Sequence, residues 1–159
     1  MSIAPDPDLA TMTDDIPEFS LLDRVLPGKV VACYDGDTAD IVLPVGEQFW
    51  KFSCRMLGYN SPEMKPLKTK PGREEEKAAA LRSKHAIMSE LCDSVDPVGS
   101  YTKKQLDECV RHNRRVIQVR CHEFDKYGRV LVTIPRYTQP EETVNDWMVR
   151  VGYGVTYRK

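Results

Sequence analysis

Residues 49–57 read Phe49-Trp50-Lys51-Phe52-Ser53-Cys54-Arg55-Met56-Leu57. In an extended chain Trp50, Phe52, Cys54 and Met56 fall on one side and Lys51, Ser53 and Arg55 on the other, the alternation of a half-buried β-strand. That parity sets Arg55 off the core face. Working back, residues 30–34 and 38–43 are short β-prone runs separated by Asp-Gly turn chemistry, which predicts a hairpin. Working forward, residues 58–72 are too rich in Pro and Lys to form an element. Residues 74–92 predict a helix, with acids in its first turn and Ala78, Leu81, Met88 and Cys92 on one stripe. His85 falls on that stripe and is expected to be structural.

Residues 93–101 predict a loop and 103–112 a short second helix. Alternation returns in 115–124, with Ile117, Val119 and Cys121 inward, and after a turn at 125–128 in 129–134, where Val130, Val132 and Ile134 share the core face. Arg129 therefore has the outward parity of Arg55. Thr143 opens the last helix with Asp146 placed as in a capping box. Val144, Trp147, Met148 and Val151 form its apolar stripe, and Gly152 ends it. Short sequential strands with a helix between the third and fourth predict an α+β, mainly β, fold: a small antiparallel barrel with helices packed on it. One domain is expected over 19–159, with an insertion at about 93–113. It follows an acidic tail, residues 1–18, whose Pro5, Pro7, Pro17 and many acids predict a segment that cannot fold alone.

With 159 residues, 41% hydrophobic and 30% charged, the composition is that of a soluble globular chain, and no run approaches a membrane span. The start lacks the basic and apolar pattern of a signal or transit peptide. Five cysteines at irregular spacing favour free thiols in a reducing compartment. The expected location is intracellular, not secreted. The net charge of −1 divides into −6 over residues 1–23 and +5 over 24–159. A basic body suits a polyanionic partner, and the acidic tail could mimic that partner or dock a protein, as could the insertion. Cys109, His112, Cys121 and His122 are not expected to bind zinc, because Cys121 and His122 are adjacent on a strand and point to opposite faces.

Three motifs carry chemistry: Asp35-Gly36-Asp37-Thr38, Arg55 followed by Ser61-Pro62-Glu63, and Asp125-Lys126-Tyr127-Gly128-Arg129. Phosphodiester hydrolysis needs cations to offset charge on the phosphorane oxygens, and an activated water. Arg55 and Arg129 can each fork two phosphate oxygens, Glu63 can act as general base, and Asp37 suits a hard cation such as calcium.

In this order, followed by Val144-Asn145, Val149-Arg150 and Gly152, the motifs resemble the staphylococcal nuclease (thermonuclease-like) family over about residues 30–159. The resemblance implies an OB-type five-stranded barrel with three helices, here with an extra short helix in the insertion. It implies a calcium-dependent phosphodiesterase acting on DNA and RNA with little sequence specificity and leaving 3′-phosphates. It implies Asp37 as a calcium ligand, Ser61 as a ligand through its carbonyl, Glu63 as base, Arg55 and Arg129 as phosphate clamps, and Lys126, Tyr127 and Tyr157 around the nucleotide. A second carboxylate ligand of the family falls at Asn60, which keeps an oxygen but loses a charge, so weaker calcium binding is expected. The rival function is a catalytically weak member of this fold serving nucleic-acid binding or assembly. Residues 58–66 also look like versions of this nuclease from large DNA viruses, which implies a viral origin or virion location.

Overall fold

The computed structural model of the chain describes residues 6–157. Of the expected tail, residues 1–5 lie outside that range. Residues 6–18 are exposed, with a single 3-10 turn at Leu9–Thr11. Contacts with the body begin at Phe19, whose ring lies 6.2 Å from that of Phe124, and at the buried Leu21.

Alternation organises the sheet. β1 (Val25–Cys33), β2 (Thr38–Val45) and β3 (Gln48–Met56) form a meander, and β5 (Ile117–Phe124) and β6 (Val130–Thr133) a second hairpin, β4 (Tyr59–Asn60) lying between. The five long strands close a barrel in the order β1-β2-β3-β6-β5. Four seams are antiparallel, and β3 and β6 run parallel, Cys54 opposite Val130 and Met56 opposite Val132. The wholly antiparallel barrel expected from sequence is thereby corrected. Directions cannot alternate around a ring with an odd number of strands, so one seam must be parallel. Inward residues fill the barrel: Val30, Ile41, Leu43, Cys54, Met56, Val119, Cys121, Val130 and Val132 are buried. The expected inward face of β3 fades toward the hairpin tip, where Phe52 is half-buried and Trp50 exposed.

α1 (Arg73–Leu91) and the residue after it bury Met88 and Cys92 as expected, but the first half of the stripe differs from the one expected. Ala78 is exposed and Leu81 only half-buried, while Ala80, Ser83, Lys84, Ile87 and Leu91 face inward. Two polar residues disguised that face. Lys84 tolerates burial because its Nζ pairs with Asp107 of α2 (Lys103–Val110). α2 falls within the segment expected to be an insertion; it is closed by a Thr102/Gln105 capping box and buried through Leu106 and Val110. It is one of three α-helices among the described residues, which match the helices expected over 74–92, 103–112 and from Thr143, and the chain beyond Gly152 enters strand β7 (Val155–Thr156). β7 pairs with β4, so the expected loop 58–72 contains a short strand.

α3 (Val144–Arg150) starts as expected, the Thr143 hydroxyl accepting the Asp146 amide at 3.1 Å. Val144 and Met148 are buried, Trp147 is half-buried, and Val151 is exposed, contrary to expectation. Gly152, at φ +87, ends the helix. Its Asn145 staples the parallel seam: Nδ2 donates to the Leu57 carbonyl at 2.9 Å and the Val132 carbonyl at 3.0 Å, and Oδ1 accepts the Ile134 amide at 3.2 Å. Asn145→Ala leaves these groups short of partners in a buried place and is expected to lower the unfolding free energy by about 3 kcal/mol in urea titration.

His85 is structural: its Nε2 lies 2.8 Å from the Asp96 carbonyl and its ring meets Tyr101 edge-on. Cys121 points into the core while His122 faces Thr133 Oγ1 at 3.1 Å on the other side. All five cysteines are free thiols. Among the described residues no helix is long and apolar enough to cross a membrane.

Candidate active site

Asp37 owes its place to the turn before β2. The Asp35 carboxylate accepts the Asp37 amide at 3.0 Å, as short acidic side chains do in turns. Gly36 sits so close to α1 that a Cβ there would lie 1.9 Å from Ser83 Oγ and 2.9 Å from Ser61 Cβ. Asp37 itself is buried. Its Oδ1 accepts the Thr38 hydroxyl and its Oδ2 the Ser61 amide, each at 2.9 Å.

Thr38 is directly opposite Arg55 across β2 and β3, which brings Arg55 Nη1 within 3.0 Å of Asp37 Oδ2. Nη1 also donates to the Tyr59 carbonyl at 2.9 Å and the Met56 carbonyl at 3.3 Å, and Nη2 donates to Asn60 Oδ1. One guanidinium thus gathers the acidic turn, the end of β3 and β4.

Tyr59, passed over in the sequence as a loop residue, is fully buried and donates its hydroxyl to the Gly36 carbonyl at 2.6 Å. It bolts β4 to the Asp35–Asp37 turn. Burial, and then the Asp37 charge, push its phenol well above the ordinary range. A Cβ on Gly154 would come within 2.5 Å of its ring, so the approach to β7 is equally tight. β7 in turn delivers Tyr157, whose ring lies 5.8 Å from the Arg55 guanidinium.

Arg129 comes from the turn between β5 and β6. Asp125 caps that turn, accepting the Tyr127 and Arg129 amides at 2.9 Å and Arg129 Nε at 2.8 Å. Burial works to raise the Asp125 carboxyl, but its bonds from Arg129 and Tyr127 outweigh it and hold the group below the usual range. The terminal Nη groups of Arg129 have no protein acceptor among the described residues. Tyr127 is exposed and lies near both Arg129 and Lys126.

Arg55, Asn60, Lys126, Tyr127, Arg129 and Tyr157 line one open cleft of about 570 Å³. Asp37 and Ser61 join it from behind through Arg55 and the Ser61 amide. Glu63 is not among the lining residues. It is exposed on the loop after β4. Sequence reasoning also passed over Asp35 as a titrating group: burial, and then the hydrogen bond and charge of Asp37, push it up to about 6. The signal was the Asp-Gly-Asp spacing, which forces two carboxylates onto one turn.

Among the described residues no three His, Cys, Asp or Glu side chains converge as a metal site. The oxygens of Asp35, Asp37 and Asn60 nonetheless suit a hard cation in kind, and two crowded carboxylates are relieved by one. Arg55 holds two of these groups, so a cation entering here competes with a guanidinium. Compared with known proteins, the chain matches no family model and no curated protein.

Proposed function

We propose that the chain is a metal-dependent nuclease that hydrolyses phosphodiester bonds of single-stranded DNA or RNA. The observation that carries this is the convergence of Arg55 and Arg129 on one open cleft, with Lys126, Tyr127 and Tyr157 around them. Two guanidiniums on one cleft suit a phosphodiester anion, since each can fork its oxygens and stays charged. The exposed Tyr127 and half-buried Tyr157 beside them suit the flanking nucleotides, because every base has a face to stack. The motif order shared with the staphylococcal nuclease family supports the same reaction.

In that reaction water attacks phosphorus, the bond to the 5′ oxygen breaks, and a 3′-phosphate and a 5′-hydroxyl result. Glu63 takes the proton from the water. This requires its loop to bring it toward the cleft, as is common for catalytic groups that tighten only with substrate. Arg55 and Arg129 neutralise charge that builds on the phosphorane oxygens. Asp37 and Asn60, with Ser61, would hold calcium, which supplies further positive charge to the phosphate.

The test is cleavage of single-stranded DNA by the purified chain in calcium and in chelator, beside Glu63→Gln. Calcium-dependent cleavage lost in the variant supports the proposal. DNA binding without cleavage at millimolar calcium supports instead a binding module of the same fold, a reading favoured by the hold of Arg55 on Asp37 and Asn60. Asn60→Asp restores a negative oxygen and is expected to lower the calcium needed for half-maximal activity by about tenfold; a calcium titration yielding the wild-type midpoint would exclude Asn60 as a ligand.

A further inference from the structure

The outer face of the first three strands leads away from the cleft. On β3 the outward row after Arg55 is Ser53, Lys51 and Phe49, and each has a direct partner on β2: Asp40, Val42 and Pro44. Val42 is opposite Lys29 on β1, so Lys29, Val42 and Lys51 form a rung across three strands. Neither lysine has an anionic partner among the described residues. Phe49 is 79% exposed, at the rim of a hollow of about 450 Å³ shared with Pro27, Lys29, Val31, Val42 and Pro44. The one acid in the row, Asp40, is buried under Tyr34, whose hydroxyl it accepts at 2.6 Å, and Tyr34 presents an exposed ring in its place.

We infer that this face is a track for single-stranded nucleic acid, with Lys29 and Lys51 on the phosphates and Tyr34 and Phe49 under the bases. It runs from Arg55 to Phe49, about 20 Å along β3, room for the roughly four or more nucleotides that a barrel face of this kind holds. Exposed aromatic rings alternating with unpaired lysines are what such a strand requires: stacking is indifferent to base identity, and the cations follow the backbone. Continuity with Arg55 makes nucleic acid the occupant. An apolar protein segment would fit the hollow around Phe49 but would leave both lysines unused. The inference rests on the proposed nuclease activity for the direction of the substrate, not for the surface itself.

The experiment compares the full chain with a Phe49→Ala/Lys51→Ala variant on two substrates, a deoxythymidine dinucleotide and an oligothymidylate of about 12 nucleotides. Cleavage is measured in calcium, and binding of the labelled oligomer by fluorescence anisotropy in chelator. Both side chains are exposed, so the fold is unaffected, and Phe49→Trp keeps a ring and should bind like wild type. The expected result is oligomer KM and Kd raised about tenfold with dinucleotide cleavage unchanged. Equal effects on both substrates, or none on either, overturn the track while leaving the nuclease standing. Oligomer binding that the double variant weakens, in a chain that cleaves neither substrate, overturns the nuclease and keeps the track. A chain that neither cleaves nor binds overturns both.

Discussion

Arg129→Ala is expected to lower kcat/KM on single-stranded DNA by about 10³-fold and leave the barrel folded. Its Nε is spent on Asp125, but its terminal nitrogens have no protein acceptor among the described residues and line the cleft. Such a group contributes most where charge develops, so the loss should fall mainly on kcat. Arg129→Lys keeps the charge and loses the fork, and recovery should be partial. Stability should change little, because Asp125 still accepts two backbone amides without the side chain. Steady-state kinetics beside a thermal melt decide the matter: an unfolded variant, or one as active as wild type, would remove Arg129 from the reaction.

Arg55→Ala is expected to behave differently, as a loss of stability that calcium partly reverses. Arg55 and Asp37 are 13% and 10% exposed at their side chains, and removing one partner of a buried pair costs about 3–5 kcal/mol. The Tyr59 and Met56 carbonyls and Asn60 lose a donor as well. In chelator the variant should therefore unfold at markedly lower urea. Calcium binding to the freed Asp37 and Asn60 oxygens would then stabilise the variant more than the wild type, because it no longer competes with a guanidinium. Urea titrations with and without calcium check this. An equal calcium effect on both proteins would place the cation elsewhere.

Much of this arrangement was legible because strand parity is a strict two-residue period. Residues 51, 53 and 55 can only share a side, and so can 130, 132 and 134, which puts both arginines outside the core. The parallel seam was not foreseen: the expected barrel was antiparallel, although a five-membered ring cannot alternate throughout. What escaped notice was burial contrary to residue type. Lys84 lies inside because Asp107, from an element distant in sequence, meets it, and no local pattern on α1 announces that partner. Tyr59 sat in a run of Pro, Lys and Asn that reads as loop, and only the return of β7 gives it a strand to pair with. Glu63 marks the other limit: a motif states that a carboxylate is present, whereas the direction in which an exposed polar loop carries it is not set by the motif.

The pairing of β4 with β7 also sets an order of events in the life of the molecule. All five strands of the barrel lie upstream of residue 134, so the barrel can close while the carboxyl-terminal part is still being made. Tyr59 and Asn60 then have no neighbouring strand, and the ring of Tyr157 is missing from beside Arg55, until residues 155–157 leave the ribosome. The nascent chain is therefore a finished barrel with an unfinished cleft.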